Sequence, residues 1–267
     1  MPTPRGIPSC ASGISSVCKM RKILILNGSP HKEKSTTMVA TNAFVRGMLS
    51  SGNYEAETVH VAALNIRPCL GCLSCWGRTE GECVIKNDDI PALKEKILAS
   101  DILIASFPLY YFGIPGQFKV MMDRLLSMVM AYHGQNTPQN GEPAHTFRYP
   151  KADRRFILIS GCAYNETNEV YDPILREFDL ILGKGNFLPI LCPQYKTMID
   201  NGGARVDRSV AKFTAAGAEY AVGETLSPET IRDITRPPFS SAVYRTILEN
   251  VWRRERESGD GIKETSR

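Results

Sequence analysis

The sequence predicts an α/β fold, a doubly wound parallel sheet of five strands, on three observations. Apolar strand-like runs alternate with stretches of helical periodicity. One run, DILIAS at 101–106, is apolar almost throughout, as in strands buried on both faces. The polar, glycine-bearing loops directly follow strand ends, where α/β sheets bind ligands.

The elements follow in order. Residues 22–26 are a short β-rich run ending in Asn27-Gly28-Ser29-Pro30, and a helical pattern over 35–49 breaks at Ser50-Ser51-Gly52. Residues 54–62 alternate as a strand. A cysteine-bearing segment intervenes before Asp88 and Asp89, carboxylates placed to cap a helix reaching about residue 98. After the 101–106 strand, Phe118, Met121, Met122, Leu125, Met128, Val129 and Tyr132 recur at helical spacing. A strand at 156–160, a helix at 170–182, a fifth strand at 187–191 and helices at 204–224 and 241–254 complete the pattern. The polar, Pro-rich stretch 134–153 and the charged tail 253–267 break the rhythm, and the first is long enough to be a functional loop. The expected division is a disordered or artefactual leader at 1–19 with Met20 as the true start, a ligand-binding domain at 20–200, and a C-terminal helical extension at 201–267.

Composition narrows the function classes. The 267 residues are 43% hydrophobic, enough for one α/β core plus extensions. The formal charge of +4 is spread along the chain, with no Lys/Arg block interleaved with aromatics, which argues against nucleic acid. No apolar run approaches the ~20 residues of a membrane span. Eight cysteines without an apolar signal segment read as reduced thiols in the cytoplasm. Cys10 and Cys18 fall in the leader, while Cys162 and Cys192 sit at strand ends as core thiols.

Three loops carry chemistry. In 28–37, the hydroxyls of Ser29, Ser35, Thr36 and Thr37 join free amides at a helix start, an arrangement suited to a phosphate dianion. The alternative is that Ser35 caps the helix above an ordinary turn. The second loop, Pro108, Leu109, Tyr110, Tyr111, Phe112 and Gly113, can flank a flat heteroaromatic ring, or its aromatics can be core or dimer contacts. The strand-end turn at Ser160 falls on the same rim. Between these loops, Cys69, Cys72, Cys75 and Cys83 have the spacing C-x2-C-x2-C-x7-C, which suits a [4Fe-4S] cluster. Zinc favours two separated pairs, and free cysteines that pack as small hydrophobes are the third reading. His60, His133 and His145 are isolated in sequence, and Lys119, Asp123 and Arg124 read as a surface ion pair or dimer contact.

On ILNGSPH followed by Ser35-Thr36, PCLGCLSCW with GECVIKNDD, and SFPLYYFGIPGQFK with Asp123-Arg124, residues 20–192 resemble the flavodoxin-like NAD(P)H-dependent FMN reductases. Within them the chain is similar to the branch related to iron-sulfur flavoproteins. The resemblance implies strand order 2-1-3-4-5, FMN phosphate on Ser29, His31, Ser35, Thr36 and Thr37, and the isoalloxazine against 108–113. It also implies an enzyme passing electrons from NAD(P)H to a small acceptor such as flavin or quinone, with a homodimer or tetramer expected and no side chain assigned as catalytic. The alternative is an electron carrier with a [4Fe-4S] cluster and a ferredoxin-like partner. His31 departs from the family, which more often has Arg there, leaving Lys32 or Lys34 to supply charge.

Overall fold

A computed structural model describes residues 20–131 and 141–258. The leader 1–19 with Cys10 and Cys18, the stretch 132–140 with His133 and the start of the 134–153 loop, and residues 259–267 lie outside the described residues.

Strands β1 (Arg21–Asn27), β2 (Tyr54–His60), β3 (Ile102–Pro108), β4 (Arg155–Gly161) and β5 (Leu188–Cys192) form one parallel sheet in the order β2-β1-β3-β4-β5. This is the expected topology. The order reverses between β1 and β3, so the crevice beyond their carboxyl ends is where such a sheet receives a ligand.

Eight α-helices are described: α1 (Thr36–Leu49), α2 (Ile90–Ala99), α3 (Gly116–Arg124), α4 (Asp172–Leu182), α5 (Tyr195–Asn201), α6 (Ala204–Gly223), α7 (Pro228–Ile234) and α8 (Ser241–Ser258). Strand side chains point alternately to the two faces, and the sequence divides them by type. Ile23, Ile25, Ile102, Ile104, Ile157, Ile159 and Ile190 share one core with Phe44 of α1, Tyr195 and Met198 of α5, and Phe213 and Tyr220 of α6. Leu24, Leu26, Leu103 and Leu158 share the other with Leu93 of α2, Phe118 and Met121 of α3, and Ile174 and Phe178 of α4.

The C-terminal helices therefore pack on the sheet itself. A Cβ at Gly47 would stand 2.0 Å from the Thr214 carbonyl oxygen, and one at Gly217 1.8 Å from that of Phe44. The backbones of α1 and α6 touch where they cross, and neither position has room for alanine.

Two expectations change in detail. The helix anticipated as far as Tyr132 ends at Arg124 and tightens into a 3-10 turn at Leu125–Met128. There the Trp76 indole N–H donates to the carbonyls of Leu126 and Val129, and Val129 bridges to Phe147. Helices α5 and α7 have seven residues each, too few to show a helical period in sequence.

Candidate functional site

The phosphate loop grows out of β1 through Asn27, which is fully buried. Its Oδ1 accepts from the Ser29 amide at 3.0 Å, and its Nδ2 donates to the Lys32 carbonyl and to His60 Nδ1, both at 2.8 Å. With Nδ1 accepting, His60 Nε2–H faces the Glu33 carboxylate at 3.1 Å. One amide side chain and one imidazole thus tie both arms of the loop to the sheet. Sequence reasoning passed over Asn27 and called His60 isolated, because neither partner is near it in the chain. Gly28 is obligatory for a steric reason: a Cβ there would lie 2.6 Å from the Phe118 ring.

The hydroxyls of this loop are poised but not spent. Ser29, Ser35 and Thr37 are 1%, 4% and 1% exposed. Ser35 sits at the N-cap of α1 yet makes no side-chain capping bond, so the ordinary-cap reading does not account for it. Thr37 Oγ1 is buried with no hydrogen-bond partner, and a Cβ at Gly161 would come within 3.3 Å of it. A buried hydroxyl left unpaired costs about 1–3 kcal/mol. A phosphate oxygen at this helix start would repay that cost, so the loop fits the phosphate of FMN. Thr36 is half-buried beside it, and His31 is exposed, with its amide donating to Ser29 Oγ at 3.2 Å.

The second loop follows β3. Leu109 N–H bonds the Gly161 carbonyl at 2.9 Å, and Tyr110 and Gly113 exchange two backbone bonds of 3.0 and 2.9 Å. The central residues Tyr111 and Phe112 have φ of 47° and 60°. This is a two-residue turn of the type that normally takes Asn and Gly. Bulky aromatics held left-handed are strained, which is common where a backbone serves a ligand. Tyr111 is 97% exposed, and the Phe112 ring lies 5.4 Å from that of Tyr164. Pro108 and Leu109 are half-buried at the strand end. Ser160 is fully buried and its Oγ accepts from Tyr171 at 3.0 Å, so its hydroxyl is already engaged.

The cysteine segment is exposed at its tip and locked at its base. Cys69 and Cys72 are exposed, while Cys75 and Cys83 are half-buried. Gly71 N–H donates to Cys69 Sγ at 3.4 Å, and the hydroxyl and amide of Ser74 push the Cys72 thiol below its usual range. Burial pushes Cys75 up, and the charges of Cys83, Cys69 and Cys72 add to the rise, so the four sulfurs share one neighbourhood. Among the described residues no three His, Cys, Asp or Glu side chains are already arranged as a metal site. The donor set of four thiols, with amides aimed at sulfur, fits an iron-sulfur cluster chemically.

At the base stands Arg124, 1% exposed. Its Nη1 donates to the Arg67 carbonyl at 2.7 Å and to Asp88 Oδ2, and its Nη2 donates to the Ile85 carbonyl at 2.9 Å. It also touches Cys83. Arg67 N–H bonds Asp88 Oδ2 at 3.1 Å, and Asn65 and Asp89 close a second pair of bonds at 2.7 and 3.1 Å. Burial pushes the Asp88 carboxyl up, but Arg124 and the amides of Arg67 and Ile90 more than offset it and hold it below the usual range. Arg124 is therefore no surface pair, whereas Lys119 and Asp123 do form the expected exposed one. Asp88 accepts from Ile90 N–H at 3.2 Å as a capping carboxylate, while Asp89 closes the segment instead.

Comparison with known proteins agrees with this layout. Residues 21–146 match the family model described as NADPH-dependent FMN reductase. An iron-sulfur flavoprotein of Methanocaldococcus jannaschii is 30% identical over 43% of this chain and 57% of its own length. One from Archaeoglobus fulgidus is 35% identical over 40% and 46%. The chain thus spans about half the length of these curated relatives. The FMN-dependent NADH:quinone oxidoreductase 2 of Pseudomonas fluorescens strain Pf0-1 is 25% identical over 59% of this chain and 80% of its own. Among solved structures, an FMN-dependent NADH-azoreductase from Bacillus anthracis in complex with FMN superposes with a TM-score of 0.56 at 16% identity, covering 76% of this chain and all of that one, 100%. The NAD(P)H:quinone oxidoreductase of Methanothermobacter marburgensis gives 0.54 at 18% identity, over 75% and 96%. These two likenesses speak to the fold alone. The segment with the loop at 28–37, the aromatic turn and the four cysteines is thus the part that is similar to NADPH-dependent FMN reductases and to iron-sulfur flavoproteins, and it lies on a flavodoxin-like sheet.

Proposed function

We propose that the protein is an FMN-dependent oxidoreductase moving electrons from NAD(P)H to a small acceptor such as a flavin or quinone. The observation that carries this reading is the unpaired, buried Thr37 hydroxyl within a loop of uncommitted donors. FMN, when bound, supplies hydride acceptance and release at its ring. The chain supplies binding and orientation. Asn27 and His60 hold the loop shape, and Ser29, Ser35, Thr36 and Thr37 take the phosphate, with His31, Lys32 and Lys34 adding donors or charge. Pro108, Leu109, Tyr110, Tyr111, Phe112 and Gly113 form the turn against which the ring lies, and the backbone at Ser160 stands on the same rim. No side chain is assigned proton transfer. Residues 20–200 carry this site, and the helices within 201–258 pack on one face of the same sheet.

A second reading rests on the amides aimed at the sulfurs of Cys69 and Cys72 and on the names of the iron-sulfur relatives. In it, Cys69, Cys72, Cys75 and Cys83 hold a [4Fe-4S] cluster, which supplies one-electron exchange with a ferredoxin-like partner. Exposed reduced thiols suit a cytoplasmic protein, and no helix among the described residues is long and apolar enough to cross a membrane. The exposed Tyr111 and Phe112 give a second subunit something to cover, in keeping with a homo-oligomer.

The test is an absorption spectrum of protein purified without oxygen, with flavin, iron and sulfide assayed on it and on a Cys72→Ala, Cys75→Ala variant. Flavin bands bleached by NADPH or NADH are expected. About four irons per chain that vanish in the variant would establish the cluster. A protein that neither retains nor takes up FMN would sink the oxidoreductase reading.

A further inference from the structure

The C-terminal helices enclose a second pocket of about 200 Å³, lined by none of the residues of the phosphate loop or the cysteine segment. Its wall carries four cations and no carboxylate. Arg205, Arg208 and Lys212 come from one side of the N-terminal half of α6, and Arg236 comes from the linker after α7. Lys212 is neutralised by Asp233 at 2.6 Å, and Arg205 lies over the Phe239 ring at 5.1 Å. Among the described residues, Arg208 and Arg236 have no ion-pair partner. The positive end of the α6 dipole adds to their field.

On the pocket wall Tyr195 is 3% exposed, and its hydroxyl has no hydrogen-bond partner of normal geometry. The Ser209 side chain, which also lines the pocket, interacts with it without closing a regular hydrogen bond. Unneutralised guanidiniums beside an unpaired buried donor are what an anion with several oxygens would satisfy.

We propose that this pocket binds a phosphate-bearing anion. Arg208 and Arg236 take its oxygens by fork-shaped donation, Arg205 adds a third guanidinium, and the Tyr195 hydroxyl donates to an inner oxygen. The volume suits a phosphate or pyrophosphate group and the pocket opens to solvent, so the source is either the free anion or the phosphate end of a larger cofactor whose remainder lies outside. Nothing in this depends on flavin binding.

The test is calorimetric titration of inorganic pyrophosphate into the full chain at low ionic strength. One saturable site that added FMN does not displace is expected, distinct from any binding at the phosphate loop. Arg208→Gln with Arg236→Gln should weaken it roughly a hundredfold, while Thr37→Val, in the phosphate loop, leaves it unchanged. Arg208→Lys with Arg236→Lys retains the charge and should keep part of the affinity, separating lost contacts from a misfolded chain. Competition by NADP⁺ but not NAD⁺ would identify a cofactor phosphomonoester as the source, and competition by neither would identify the free anion. No binding by the natural chain, undiminished binding in the double Gln variant, or loss in Thr37→Val would overturn the proposal.

Discussion

In the phosphate loop every backbone arm is tied down by Asn27 and His60, and Ser29, Ser35 and Thr37 are no more than 4% exposed. In the cysteine segment the ties are gathered at the base, on Arg124, Asp88 and Asp89, while Cys69 and Cys72 stand in solvent. The first region is already shaped, so the phosphate proposed for it would bind at little cost in ordering entropy. The second brings four thiols into one neighbourhood behind an exposed tip, so the cluster proposed for it would complete its own site, with binding coupled to ordering of the tip.

The strongest way to break this comparison is to remove the base. Arg124→Gln leaves the buried Asp88 carboxylate uncompensated and should cost roughly 3–5 kcal/mol in a urea unfolding experiment. Amide exchange over 67–88 should quicken more than over 28–37, and Arg124→Lys should not rescue it, because an ammonium cannot reach both carbonyls and the carboxylate. Equal protection in both segments would sink the idea of a basal clamp. The same clamp has a pH signature. Asp88 is held below the usual carboxylate range, so its contribution is complete above that range and is lost as pH falls through its folded value. The stability gap between the natural chain and Arg124→Gln should therefore narrow in acid.

A smaller effect sharpens the other side. Thr37→Val removes an unpaired buried hydroxyl, so the apoprotein should be unchanged or more stable by up to about 1 kcal/mol, while FMN affinity falls about tenfold. Flavin fluorescence titration beside thermal unfolding separates the two. A less stable apoprotein would mean that Thr37 is structural. The smallest change concerns the aromatic turn: Tyr111→Gly removes a left-handed non-glycine residue whose ring packs on little and should raise Tm, by an amount equivalent to about 1 kcal/mol. A lowered Tm would show that the turn is not strained.

How far each of these features could be read in the sequence depends on chain distance. The strands were legible because their apolar runs are local, and the sheet order only through the family resemblance, whereas the division of Ile and Leu between the two faces shows in the structure. The candidate hydroxyls stand out because Ser35, Thr36 and Thr37 are consecutive at a helix start, and the cysteines because they crowd within one segment. The supports do not. Asn27 meets His60 at a separation of 33 residues, and Arg124 meets Arg67 at 57. An Asn at a strand end and an Arg at a helix end look like ordinary surface residues until the fold brings their partners. Helical spacing even suggested the wrong role for Arg124, since its neighbours Lys119 and Asp123 do pair on the surface.

The crossing of α1 and α6 at Gly47 and Gly217 also bears on how the chain comes to be made. The helix that opens at the phosphate loop leaves the ribosome well before the surface that covers it, which comes from α6. Until then Phe44 and Met48, both fully buried in the finished protein, have no lid. Contacts so distant in sequence are slow to close, and a half-made chain exposes apolar surface meanwhile. Nascent chains stopped before α6 should therefore be clients of chaperones, and the loop at 28–37 should take its final shape only once α6 has been made.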